Sequence, residues 1–312
     1  MISGCVTEQS PRLQEITVEL KWLHQAQFAG NYVAVKKGYY AAQGLNVTLV
    51  PFSYETPTID AVVHGNATFG ITGADELVIA RSKGLPLKAV IYKINPVCAY
   101  SLQKSGITTP QDFIGKMVGL EGGLTTTNVN ILYFAMMSKL GINRSQIHEV
   151  SIGYDATELL NGTTNVSTGY IINEPYQVML AGYEVNTILM ADYGVNMYAD
   201  VLFTTEDTIN NSPELVEGFL RATLQGWQYA FEHINETVNI TLQYAPNSSR
   251  NIETYMLTTS IPFINTGTSP LGWMEKSEWE RVQNILFEQH ILDKPINIDN
   301  VYTMDFLEKI NT

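Results

Sequence analysis

The chain has 312 residues, of which 45% are hydrophobic and 16% charged, a balance that supports an ample core and excludes the highly charged, apolar-poor composition of disordered chains. Its formal net charge is -13, with 18 Lys and Arg against 31 Asp and Glu, so it lacks the basic footprint a nucleic-acid backbone requires. Two cysteines, Cys5 and Cys98, are too few for a disulfide framework or a cysteine-based zinc site.

The opening Met1-Ile2-Ser3-Gly4-Cys5 places an aliphatic and two small residues before a cysteine. It resembles the end of a lipobox, which makes Cys5 the expected lipid anchor and residues 1–14 a tether. No later stretch reaches the about 18 apolar residues that a membrane span requires. An extracytoplasmic location, periplasmic or at the cell surface, is therefore expected. Sequons at Asn46, Asn66, Asn143, Asn161, Asn165, Asn235, Asn239 and Asn247 are acceptors for glycans in a host with that machinery.

From Ile16 to Trp22 apolar and polar residues alternate, which predicts a strand. A loop through Gly30 leads to a helix ending at Gly38, then to a strand from Asn46 to Phe52. Strand, helix and strand with short links form the βαβ unit of a parallel sheet. The pattern repeats with a helix about Thr58 to Val63, a strand Thr68 to Thr72, a helix from near Asp75 to Gly84 and a strand Pro86 to Tyr92. A second α/β unit starts near Thr109, with strands at Met117 to Leu120, Glu149 to Ile152, Ser167 to Ile171 and Val185 to Leu189. From about Asp200 helices are expected. One lobe is thus predicted from residues 15–105 plus 200–312, and an inserted lobe from 106–199. Two chain crossings make a hinge, and the hinge makes a central cleft that closes on ligand.

Ligands of open α/β sheets bind outside the carboxyl ends of the strands. Here those ends are Trp22 with its loop, Phe52-Ser53-Tyr54 and Thr72-Gly73-Ala74-Asp75. Glu121 to Asn128, with Gly122, Gly123, Thr125, Thr126 and Thr127, opens a helix. Its backbone N–H groups are placed to hold an anion, or a Thr serves as a plain N-cap; the Lys of a nucleotide P-loop is missing. Five scattered histidines, and no Gly-x-Ser-x-Gly or His-Glu-x-x-His motif, leave no catalytic constellation.

The run Lys21 to Ala34, then Lys37-Gly38-Tyr39-Tyr40 and Gly44-Leu45-Asn46-Val47, resembles the NMT1/THI5-like periplasmic binding proteins. Phe69 to Leu77, Asp112 to Lys116 and Phe219 to Trp227 extend the likeness to roughly residues 16 to 292. The resemblance implies an α/β, periplasmic-binding-protein type II-like fold. It implies a monomeric receptor that delivers a thiamin-precursor pyrimidine, or riboflavin or another heterocycle, to an ABC permease; a sensing module for a membrane kinase is the alternative of another class. Cleft residues from one lobe would be Trp22, Gln25, Phe28, Tyr32, Tyr54, Thr72, Asp75 and Glu76, with Asn95 included. From the other lobe they would be Gly122, Thr125, Thr126, Asn128, Tyr170, Asn173 and Glu174. Aromatic faces stack a planar ring, and Gln25, Asn173 and Glu174 supply donors and acceptors. Pyrimidine receptors have Asn where Gln25 falls here, and an acidic residue that pairs with the aminopyrimidine edge where Glu174 falls. The related fungal synthase carries a Cys-rich run and a Lys for pyridoxal phosphate. Cys98 stands alone and Ile71 to Asp75 holds no Lys, so neither catalysis nor a cofactor is expected. The cleft segments contain no Arg, which disfavours a sulfonate or nitrate.

Overall fold

The computed structural model describes residues 13–93, 96–123 and 127–311. Cys5, Asn95, Thr125 and Thr126 lie outside the described residues. Among the described residues ten strands form: β1 (Gln14–Glu19), β2 (Leu45–Val50), β3 (Phe69–Thr72), β4 (Leu87–Lys93), β5 (Val97–Leu102), β6 (Met117–Glu121), β7 (His148–Ile152), β8 (Val166–Tyr170), β9 (Val185–Leu189) and β10 (Asp200–Thr205). They form two five-stranded sheets, ordered β2-β1-β3-β10-β4 and β7-β6-β8-β5-β9. In the first sheet β1 pairs parallel with β2 and β3, while β10 runs antiparallel between β3 and β4. The second sheet repeats this with β6 parallel to β7 and β8, and β5 antiparallel between β8 and β9.

Two differences from the sequence reading concern the strands that follow the crossings. Asp200–Thr205, expected to begin a helical region, is β10 in the middle of the first sheet. β5 belongs to the second sheet, so the first crossing falls between Lys93 and Val97 rather than at residue 105. Both strands are buried at five of six positions. With helices on both faces of a sheet, a central strand loses the alternation that reveals a strand.

The helix Pro213–Glu232 packs on the helix Ala29–Lys36. Glycine makes this approach possible: a Cβ on Gly226 would sit 2.1 Å from the Gly30 carbonyl oxygen, and one on Gly30 only 2.3 Å from the Trp227 ring. The helix Lys276–Glu288 touches Ala74–Ser82 of the first lobe and Asn128–Lys139 of the second. Its buried Trp279, Val282 and Leu286 join Leu77, Tyr133 and Met136 in one core that continues across both lobes. Tyr255 on Arg250–Ile264 adds a further link. It stacks on Tyr176 at 4.1 Å between ring centroids and donates its hydroxyl to the Ile171 carbonyl at 3.2 Å. Among the described residues no helix is long and apolar enough to cross a membrane.

Candidate ligand-binding site

The carboxyl ends of the parallel strands in both sheets face one cavity of about 630 Å³. Its mouth is aromatic. Trp22, just beyond β1, stacks on Phe52 beyond β2, with centroids 6.3 Å apart. Phe52 meets Tyr54 edge-on at 5.0 Å. Tyr154, in the loop after β7, comes from the other lobe to lie 4.9 Å from Trp22, so the lobes touch above the cavity. A Cβ on Gly122, whose φ is +70°, would lie 2.6 Å from the Tyr154 hydroxyl. Only glycine combines that backbone with so close an approach.

A polar chain crosses the floor. Gln25 donates its amide to Gln27 at 2.7 Å, and Gln27 donates to Asp200 at 2.8 and 3.0 Å. Lys21 forms an ion pair with Asp200 at 3.3 Å, donates to the Ala199 carbonyl at 2.6 Å and reaches the Tyr170 hydroxyl at 3.4 Å. Tyr170 and Asn128 then exchange hydrogen bonds at 3.0 and 3.1 Å. The chain begins in the first lobe and ends in the second. Burial by itself would lower the Lys21 pKa, but Tyr170, Asp200, Glu76 and Asp75 together outweigh it and raise it, which keeps the ammonium charged.

Acids line the walls. Asp75 and Glu76 occupy the first turn of Ala74–Ser82, where the helix dipole favours them. Glu174 stands equivalently at the start of Glu174–Leu180, is 2% exposed, and accepts the Tyr170 backbone N–H at 2.7 Å and the Asn173 side-chain amide. Glu121 ends β6 and is 7% exposed. Burial, helped by the Glu76 charge, pushes the Asp75 carboxyl up to about 7. Burial also lifts Glu174 to about 7 against the N–H groups that oppose the shift. Glu121 is raised well above the usual carboxylate range by burial and then by the charge of Glu174.

Of the residues expected at the site, Trp22, Gln25, Tyr54, Asp75, Glu76, Asn128, Tyr170, Asn173 and Glu174 meet around this cavity. Phe28 and Tyr32 do not line it: both are fully buried in the first-lobe core. Tyr32 packs on Tyr244 at 4.3 Å, while its hydroxyl accepts the Gln25 backbone N–H at 3.2 Å and steadies the cavity loop from behind. Thr72 is buried beneath the wall and donates to Glu76. Gly122 backs Tyr154 rather than lining the cavity. The helix start after it is capped in the ordinary way, with the Thr127 hydroxyl accepting the Asn130 N–H. Phe52 lines the cavity from the strand end singled out with Tyr54, and Lys21, Gln27, Glu121 and Tyr154 line it without having been named as site residues. For Glu121 the signal was present: a carboxylate closing the apolar run Met117-Val118-Gly119-Leu120 at a strand's carboxyl end.

Two α/β lobes with a cavity at their facing strand ends define a two-lobed clamp of the periplasmic-binding-protein type II fold. The periplasmic aliphatic sulphonate binding protein SsuA from Escherichia coli has this fold with a TM-score of 0.76 at 12% identity, covering 94% of this chain and 99% of that one. The chain belongs to the NMT1/THI5-like family, whose model matches residues 25–237. It is 27% identical to the riboflavin-binding protein RibY of Chloroflexus aurantiacus, over 95% of this chain and 87% of that one. It is 25% identical to the formylaminopyrimidine-binding protein of Halalkalibacterium halodurans, over 93% and 90% of the two chains. A 4-amino-5-hydroxymethyl-2-methylpyrimidine phosphate synthase of Legionella pneumophila is 24% identical, over 94% and 92%.

Proposed function

We propose that this protein is the extracytoplasmic solute-binding component of an ABC importer and closes on a thiamin-precursor pyrimidine, such as hydroxymethylpyrimidine or its aminomethyl or formylamino relatives. The observation that carries this reading is Glu174, a buried carboxylate oriented by the Tyr170 N–H and Asn173 within an aromatic-mouthed cavity. A carboxylate so held accepts from the amino edge of a heterocycle while Trp22, Tyr54 and Tyr154 offer ring faces. Because the walls come from both lobes, a ligand touching both stabilises the closed clamp over the open one. The formylaminopyrimidine-binding relative supports the same ligand class.

A second reading, a riboflavin receptor, is favoured by the cavity's size of about 630 Å³, which exceeds the needs of one pyrimidine ring, and by the RibY relative. A sulfonate is disfavoured, since no Arg lines the cavity among the described residues and carboxylates repel an anion. The binding reading is also preferred to a synthase. Lys21 faces the cavity, but its ammonium is committed to Asp200 and to the Ala199 carbonyl, whereas a Schiff base needs a neutral amine. Cys98 is buried in β5 and burial raises its thiol pKa, which makes it a poor nucleophile. In this reading the receptor is a monomer tethered through Cys5, needs no cofactor and hands its ligand to a permease. Mass spectrometry of ligand released from purified protein, with thermal-shift screening of the pyrimidines, thiamin and riboflavin, tests it. A pyrimidine or flavin that raises the melting temperature is expected; a shift with an alkanesulfonate and none of these would overturn it.

A further inference from the structure

We infer that the cavity takes its ligand as a cation, with Asp75 and Glu121 forming a counter-charge site between the lobes. This rests on the cleft being the ligand site, as proposed above. Asp75 and Glu121 line the cavity, and each holds one carboxylate oxygen, Oδ1 and Oε2, buried without a hydrogen-bond partner, with Asp75 1% and Glu121 7% exposed. They come from opposite lobes, at the ends of β3 and β6. Leaving such oxygens unpaired in a dry site costs free energy that a ligand recovers by placing a donor or a positive charge there, a cation most fully because charge-assisted hydrogen bonds are the stronger ones. Asp60, Glu76 and Glu174 line the same cavity, against Lys21 and Lys83 alone among the described residues. Lys21 is already matched by Asp200, and Lys83 is exposed. The mouth of Trp22, Phe52, Tyr54 and Tyr154 adds electron-rich faces, which attract organic cations.

The groups facing these acids are few. Asp75 meets Glu76 on its own helix and Lys21 from the β1 loop. Glu121 meets Glu174 and Lys21, with Tyr154, Tyr170, and Tyr100 and Cys98 of β5 nearby. Glu174 also feels Asp155. Without ligand, burial, helped by neighbouring acids, raises the Asp75 and Glu174 carboxyls to about 7 and lifts Glu121 well above the usual carboxylate range. A cation replaces the protons on these carboxyls, so its binding releases protons and tightens as pH rises.

The test is calorimetric titration of the full chain at pH 5.5 and 8 with thiamin, a permanent cation, with neutral riboflavin, and with choline, a cation lacking a large ring. Thiamin should bind at least about tenfold tighter at pH 8 than at pH 5.5. Glu121→Gln and Asp75→Asn should each weaken thiamin at pH 8 by about tenfold or more and riboflavin by much less, with melting temperatures at or above wild type showing that both variants fold. Choline binding without any aromatic heterocycle binding would leave this inference standing and remove the pyrimidine reading. Riboflavin bound as tightly as thiamin, without pH dependence, would overturn the inference and leave the heterocycle receptor intact. Failure of both cations to bind would also overturn it.

Discussion

The two lobes share a strand order, and equivalent strand ends carry matching chemistry at two places and opposite chemistry at a third. Beyond β2 and β7 stand aromatics, Phe52 with Tyr54 in one lobe and Tyr154 in the other. After β3 and β8 stand helix-starting acids, Asp75 with Glu76 and then Glu174. Beyond β1 and β6 the match fails: the first lobe offers Lys21 and the second Glu121. Lys21 is answered within the protein by Asp200, whereas Glu121 Oε2 has no hydrogen-bond partner. The Lys21 end of the first wall is therefore compensated within the protein, whereas Asp75 Oδ1 and Glu121 Oε2 are left without partners in the two lobes. Duplicated topology fixes where side chains meet, and the charge reversal gives the second lobe a carboxylate where the first carries a matched ammonium.

Four measurements break or sharpen this comparison. The largest effect is expected from Lys21→Met, which leaves Asp200 uncompensated in a largely buried place and should cost about 3–5 kcal/mol of stability in urea unfolding. A loss below about 1 kcal/mol would mean the Lys21 end of the first wall was never compensated by this pair. Next, Glu174→Ala removes the acceptor of the Tyr170 N–H and of Asn173. It should weaken pyrimidine binding by about 2 kcal/mol in calorimetry. Smaller again, Trp22→Ala and Tyr154→Ala delete the two sides of the contact at the mouth and should each cost about 1 kcal/mol of affinity. If only one matters, the mouth belongs to one lobe.

The fourth measurement is of stability against pH. Asp75 and Glu174 sit near 7 when folded, above their ordinary carboxylate values. Between pH 4 and 7, roughly, the folded chain then binds more protons than the unfolded one, so ligand-free stability falls as pH rises through that window. Melting temperature against pH should show this decline. Asp75→Asn should reduce it, leaving the part due to Glu174, to Glu121, which burial lifts well above the carboxylate range, and to Glu19, which burial raises to about 7. A rising profile would contradict the assignment.

Much of the architecture is legible in the residues because its cause is local. Strands such as β2, with alternating buried and exposed positions from Leu45 to Leu49, announce themselves through their period. Helices such as Pro213–Glu232 present one apolar stripe. The aromatic loop ends and the acids at helix starts are likewise written where topology needs them. β5 and β10 are not, because burial on both faces erases the pattern, and with them went the position of the first crossing.

The sequence by itself determined two α/β units, a hinge between them and Trp22, Tyr54, Tyr170 and Glu174 at strand ends. Only the tertiary structure decided that Phe28 and Tyr32 belong to the core and that Lys21 is matched by Asp200, 179 positions later in the chain. It alone decided that Glu121 and Asp75 face one cavity from opposite lobes. The physical reason is that a period is a property of neighbours along the chain. Burial, charge compensation and an unmatched carboxylate are properties of neighbours in space.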